Sequence, residues 1–97
     1  MSFIQLVTIN AKEGKGAEIR AHLEKVYEDV KANEPGTKKY HIGVDVKNSD
    51  TIWLWEEYDN QAALEDVHRK GKPYLEFMSH KEELIGGFQI QRLDKVN

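Results

Sequence analysis

The stretch Thr51–Tyr58, TIWLWEEY, decides how this chain folds. It is rich in β-branched and aromatic residues and lies between the turn residues Asn48-Ser49-Asp50 and Asp59-Asn60, so it reads as a strand. Successive side chains on a strand point to opposite faces, which sets Ile52 and Leu54 against Trp53 and Trp55. A strand apolar on both faces belongs in the middle of a sheet covered on both sides. Phe3–Asn10, FIQLVTIN, has the same character, with Phe3, Val7 and Ile9 opposite Ile4 and Leu6. Two other strands are one-sided, as edge strands are. In Lys38–Lys47, KKYHIGVDVK, Tyr40, Ile42, Val44 and Val46 oppose Lys39, His41, Gly43 and Asp45. In Gly87–Val96, GFQIQRLDKV, Phe88, Ile90 and Arg92 oppose Gln89, Gln91 and Leu93.

Helical patterns separate these strands. Across Ala17–Asn33, Ile19, Leu23, Val26 and Val30 recur at helical spacing, and Asn33-Glu34-Pro35-Gly36 ends the run. A second helix over Gln61–Gly71, capped by Asp59 or Asn60, lines up Leu64, Val67 or His68, and Gly71, and Pro73 restarts it towards Leu84. The order is βαββαβ, an α+β, ferredoxin-like arrangement with a four-stranded antiparallel sheet whose first and third strands are central. Two helices cover only one face of such a sheet. The other face, with bulky groups from the central strands, would be an exposed apolar patch in a monomer, so a homodimer packed sheet to sheet is expected.

Ninety-seven residues suit one domain over 1–97. With 14 Lys+Arg against 17 Asp+Glu, the net charge of -3 offers no basic field for nucleic acid. The chain has no Cys, so disulfides, thiolate nucleophiles and Cys-ligated zinc are excluded. MSFIQLVTINAKEG has no basic leader, and Gln5 and Thr8 interrupt its apolar run. Neither a signal peptide nor a membrane span is therefore expected, and the chain reads as cytoplasmic.

The Gly14-Lys15-Gly16 segment lacks the spacing of a phosphate-binding loop, and no Ser occupies a nucleophile elbow. His22, His41, His68 and His80 are dispersed singly, so neither a metal nor another cofactor is expected. What remains is a cluster of rings in the second half: Tyr40, His41, Trp53, Trp55, Tyr58, His68, Tyr74, Phe77 and His80. The Trp pair reads either as a packing or dimer surface or as the wall of a pocket for a flat aromatic ligand. His68 is either a packing residue or the pocket's acid/base. His41 falls at the dimer interface or the pocket mouth, and His22 and His80 are expected in solvent. Of Glu56 and Glu57, one is expected in solvent and the other as a buried hydrogen-bonding anchor.

The residues EPGTKKY from Glu34 to Tyr40, WLWEEYDNQAAL from Trp53, and His68 followed by Lys72-Pro73-Tyr74 and Phe77 carry a resemblance. Over nearly its whole length the chain resembles the antibiotic biosynthesis monooxygenase domain family. The matching positions are Glu34 and Gly36, Glu56 and Tyr58, Ala63 and Leu64, and His68 and Tyr74. The interval from Glu56 to His68 is one residue longer than the family's spacing, so either Glu57 is the equivalent of the family's Glu or the helix start is shifted. The resemblance implies a dimeric α/β barrel with a pocket between sheet and helices in each subunit. It further implies cofactor-independent oxygenation of a phenolic, quinol or polyketide-derived aromatic by O₂. His68 would be the base, with Tyr58 and Tyr74 as catalytic partners and Trp53, Trp55, Tyr40, His41 and Phe77 holding the substrate. The haem-degrading branch does not fit, since its strand-one Asn would fall near Val7 and its helix-two Trp at His68. A cofactor-free cyclase or decarboxylase, and a non-catalytic dimeric ligand-binding protein, remain as alternatives on the same fold.

Overall fold

The computed structural model of the protein describes residues 2–97. Strands β1 (Phe3–Ala11), β2 (Thr37–Val44), β3 (Thr51–Tyr58) and β4 (Ile85–Asp94) form one antiparallel sheet in the order β2-β3-β1-β4. The two strands with apolar groups on both faces are the central pair, as their patterning requires. Helices α1 (Gly16–Asn33), α2 (Lys72–Ser79) and α3 (Lys81–Leu84) complete the ferredoxin-like fold. Ile19, Leu23, Val26 and Val30 of α1, Phe77 of α2 and Leu84 of α3 pack with Val7, Ile9, Ile52 and Leu54 into one core on a single face of the sheet.

The register stacks this face in rows. Val44, Ile52, Ile9 and Phe88 form one row across the four strands, and Ile42, Leu54, Val7 and Ile90 form the next. The row after that is Tyr40, Glu56, Gln5 and Arg92, a polar band set into an otherwise apolar surface. The opposite face has no helix over it. There Trp53 and Trp55 are 49% and 40% exposed, beside Leu6, Ile4 and Leu93. Among the described residues no helix is long and apolar enough to cross a membrane.

The structure departs from the sequence reading in four places. Strand β2 stops at Val44, because the Asp45 side chain accepts the backbone N–H groups of Lys47 (2.8 Å) and Asn48 (3.2 Å), and this turn leaves Val46 in solvent. The second helical segment is not a continuous α-helix: Ala63–Val67 is a π turn and His68–Lys70 a 3₁₀ turn, separated from α2 by Gly71. Asn60 supplies its cap, accepting the Ala63 N–H at 2.9 Å. Phe88 and Ile90, on the edge strand β4, share the helical face with Ile9 and Val7 but stay exposed. Finally, Glu56 and Glu57 are both buried, on opposite faces. On the open face, the Trp55 Nε1–H donates to Glu57 at 2.8 Å and Lys95 Nζ lies 3.0 Å from its other oxygen. These partners hold the Glu57 carboxyl below its ordinary range, the Trp55 bond most strongly.

Candidate functional site

Helix α1 closes on Glu34, whose N–H donates to Val30 O at 3.0 Å, and this directs the Glu34 side chain under the neighbouring turn. Its Oε1 accepts from Thr37 Oγ1 at 2.9 Å and lies 2.9 Å from His68 Nδ1. His68 is 2% exposed and Glu34 is 5% exposed. Two glycines allow this approach. A Cβ on Gly36 would stand 2.9 Å from the Ala63 Cβ, and one on Gly71 would stand 2.8 Å from Asp29 Oδ2 and 3.4 Å from His68 O. The Glu-Pro-Gly segment therefore provides both the carboxylate that meets the histidine and the space for the turn that carries it.

The π turn sets which residue meets Glu34. A π turn closes i→i+5 and so takes up one residue more than an α turn. The His68 N–H donates back to Ala63 O and Leu64 O at its end. Val67 is left outside and His68 inside, which settles the choice between them on the helix face. Glu56 lies on the helix-covered face of β3 and Glu57 on the open one.

His68 is ringed by three phenols. Its ring centroid lies 5.4 Å from Tyr40, 5.6 Å from Tyr58 and 5.3 Å from Tyr74. With Nδ1 paired to Glu34, the neutral imidazole carries its hydrogen on that nitrogen and leaves the lone pair on Nε2, which among the described residues has no hydrogen-bond partner. Burial raises the Tyr40 phenol well above its ordinary pKa, with Glu56 and Glu34 adding to the effect. Burial likewise raises Tyr58 and Tyr74. All three phenols therefore keep their protons, and the group here with a free lone pair suited to accepting one is the imidazole.

Glu56 is the second buried carboxyl at this site, 3% exposed. Its Oε1 accepts the Tyr58 hydroxyl and the Gln5 amide, the latter at 3.3 Å, while Arg92 Nε donates to Gln5 Oε1 at 3.1 Å. Burial pushes the Glu56 carboxyl above its ordinary pKa, against the opposing effect of the Tyr58 bond. Both bonds end on Oε1, and among the described residues Oε2 has no hydrogen-bond partner.

A cavity of about 80 Å³ opens beside these groups, lined by His68, Glu56, Gln5, Tyr40, Tyr74 and Arg69 among apolar residues that include Leu54, Leu64 and Phe77. One water needs about 10–15 Å³ of such space, so the cavity takes several waters or a small organic group. It passes Phe88 and Ile90, the two exposed residues of β4, which form its outer wall.

Of the residues singled out in the sequence, His68, Tyr40, Tyr74 and Phe77 meet at this cavity. Tyr58 lies behind it, with its hydroxyl committed to Glu56. Trp53, Trp55 and His41 do not reach it. They project from the open face, where His41 pairs across the strands with Trp55, because they occupy the alternate positions of β2 and β3. His22 and His80 pack against each other at 5.2 Å and do not line the cavity. Glu34, Glu56, Gln5 and Arg69 were not chosen as site residues from the sequence. Gln5 and Glu56 nonetheless carried a signal, since each is a polar residue on the otherwise apolar face of a central strand. Among the described residues no three metal-ligating side chains stand together.

Residues 2–79 match the family model described as antibiotic biosynthesis monooxygenase. Comparison with curated proteins returns no match. Among solved structures, a Pseudomonas aeruginosa protein is similar at 23% identity and TM-score 0.90, over 99% of this chain and 95% of that one. A candidate antibiotic biosynthesis monooxygenase from Caulobacter crescentus is similar at 23% identity and TM-score 0.87, over 99% of this chain and 91% of that one. A Mycobacterium tuberculosis protein is similar at 19% identity and TM-score 0.86, over 100% and 97%. At these identities the likeness establishes the fold.

Proposed function

The chain belongs to the antibiotic biosynthesis monooxygenase family, and from that premise we propose that it is a cofactor-independent monooxygenase acting on a phenolic, quinol or polyketide-derived aromatic. The observation that carries this reading is the buried Glu34–His68 pair at the edge of an apolar cavity. Glu34 holds the imidazole in one tautomer, and Nε2 takes the proton from an acidic O–H or C–H bond of the substrate. The electron pair left behind reduces O₂. A new C–O bond forms, and loss of water from the hydroperoxide leaves a carbonyl where a CH₂ stood. The apolar walls orient the ring and exclude bulk water, and Tyr40 and Tyr74 offer hydroxyl donors to developing negative charge.

The working form is a homodimer whose open sheet faces pack together, covering Trp53, Trp55, Leu6 and Leu93. In that arrangement the Trp pair and His41 belong to the interface, and the chemistry stays on the helical side.

Oxygen uptake with a panel of anthrones and quinols tests the reading. Wild type consumes O₂ and His68→Ala does not; equal uptake by the two would overturn it. A second reading, a cyclase or decarboxylase acting on an aromatic acid, draws support from the Arg69 guanidinium at the cavity, a counter-charge for a carboxylate. Product formation under strict anaerobiosis would favour that reading over the first.

A further inference from the structure

The reaction just proposed leaves Glu56 without a task, yet this carboxyl borders the cavity and is the most heavily built of its polar groups. It sits mid-row in the polar band across the sheet, between Tyr40 on one side and Gln5 on the other. Tyr58 and Gln5 both donate to Oε1, and Arg92 in turn holds Gln5. The carboxyl plane is thereby fixed, and Oε2 is the one oxygen left for a molecule in the cavity. Burial favours the neutral acid at this place, against the opposing effect of the Tyr58 bond and of the His68 and Arg69 charges. In its neutral form the carboxyl, whose Oε1 already accepts two donors, carries its hydrogen on Oε2.

His68 lines the same cavity, and its Nε2 is a proton acceptor in the neutral ring. One donor and one acceptor facing the same small apolar space suit a carbonyl compound with an acidic C–H beside the carbonyl. We propose that Glu56 is a catalytic hydrogen-bond donor to the carbonyl oxygen of an enolisable ketone while His68 removes the adjacent C–H proton, so that the site interconverts ketone and enol without oxygen.

The step balances within the site. The C–H bond breaks and its proton goes to His68 Nε2. The freed pair forms the C=C bond, the carbonyl π pair moves to oxygen, and that oxygen takes the Oε2 proton of Glu56. Imidazolium and carboxylate are left facing each other, so the net charge of the cavity is unchanged and no lone buried charge is created. Reversal restores both groups, and exchange of the His68 proton with solvent labels the substrate carbon. This inference rests on the reading of His68 as a base but needs neither O₂ nor a phenol. In the oxygenase reaction the same enol or enolate is the species that meets O₂.

The test is deuterium incorporation into the α-positions of 2-tetralone in D₂O under nitrogen, followed by proton NMR. Wild type should accelerate exchange and His68→Ala should not. Glu56→Leu removes the donor and should slow exchange about 100-fold, the usual effect of losing one oxyanion donor. Glu56→Gln keeps the shape and an N–H donor, guards against a folding defect, and should fall between the two. The pH profile separates a catalytic acid from a structural one. The groups that face Glu56 are Tyr40 of β2, Tyr58 of β3, Gln5 of β1 with Arg92 of β4 behind it, His68 and Arg69 of the 3₁₀ turn, Tyr74 of α2, and Glu34 behind His68. Wild type should show a bell-shaped profile, and Glu56→Gln should lose one limb of it.

The proposal is overturned if Glu56→Leu, folded as judged by circular dichroism, exchanges at the wild-type rate, or if Glu56→Gln keeps both limbs. Its failure is distinguishable from failure of the oxygenase reading. His68-dependent O₂ uptake without tetralone exchange sinks the proposal alone, and exchange without O₂ uptake sinks the oxygenase reading alone.

Discussion

Glu34→Ala probes the pair on which the site is built. Alanine keeps the backbone bonds that close α1, including the N–H donated to Val30 O at 3.0 Å and the carbonyl that accepts Thr37 N–H at 3.1 Å, so the change isolates the side chain. Two buried donors, His68 Nδ1–H and Thr37 Oγ1–H, lose an acceptor that stood 2.9 Å away. Leaving a buried donor unsatisfied costs about 1–3 kcal/mol, so the variant should lose about 2–6 kcal/mol against a total stability of about 5–15 kcal/mol. In a domain of this size that corresponds to a fall in melting temperature of about 10 °C or more. Urea unfolding measures the stability, and long-range proton–nitrogen NMR reads the tautomer of His68. The single tautomer of the wild type should give way to a mixture, and oxygenation should fall about 10–100-fold as the base loses its orientation. Glu34→Gln, which keeps an acceptor oxygen, should recover most of the stability. A Glu34→Ala protein within about 0.5 kcal/mol of wild type, with the His68 tautomer unchanged, would show that Glu34 does not hold the histidine.

Three further outcomes are expected. Gly36→Val puts a branched side chain where even a Cβ lies 2.9 Å from that of Ala63, so it should displace the π turn and cut activity more than Gly36→Ala does; equal activity of the two variants would count against a tight approach. Trp53→Glu, which sets a charge on the open sheet face, should shift the mass by light scattering from a dimer towards about 11 kDa, whereas a wild-type protein already at 11.2 kDa would end the dimer proposal. Because folding raises the Glu56 pKa above its ordinary 4.5, the fold takes up a proton. The stability this contributes is present below pH 4.5 and lost as pH rises through the folded value. Glu56→Gln should therefore gain melting temperature relative to wild type at pH 8 more than at pH 4, and a gain independent of pH would contradict this.

Much of the fold was legible because β1 and β3 carry apolar groups on both faces and a sheet has only two interior places for such strands. The misread strand end shows the limit of patterning. The alternation of β2 runs on through Asp45 and Val46, yet the Asp45 carboxylate captures two backbone N–H groups and turns the chain. The second helix was legible as helical but not as a π turn, since a one-residue surplus leaves no periodic trace over five residues. The site was harder still. Glu34 and His68 stand 34 positions apart, and no local rule brings them within a hydrogen bond. Trp53 and Trp55 drew notice as large aromatic rings, whereas the cavity is walled by the alternate positions of the same strand, Leu54 and Glu56. The sign of the site was subtler: Gln5 and Glu56 break two apolar faces at positions that only the strand register sets opposite each other.

If His68 paired with Glu34 initiates oxygenation without a cofactor, isotope labelling will show it. Chelator-treated protein is incubated with anthrone under ¹⁸O₂, and the product is weighed by mass spectrometry. Wild type should form quinone carrying one ¹⁸O atom, and His68→Ala only the uncatalysed background. Label formed at the same rate by both proteins, or by neither above background, would contradict this role for His68.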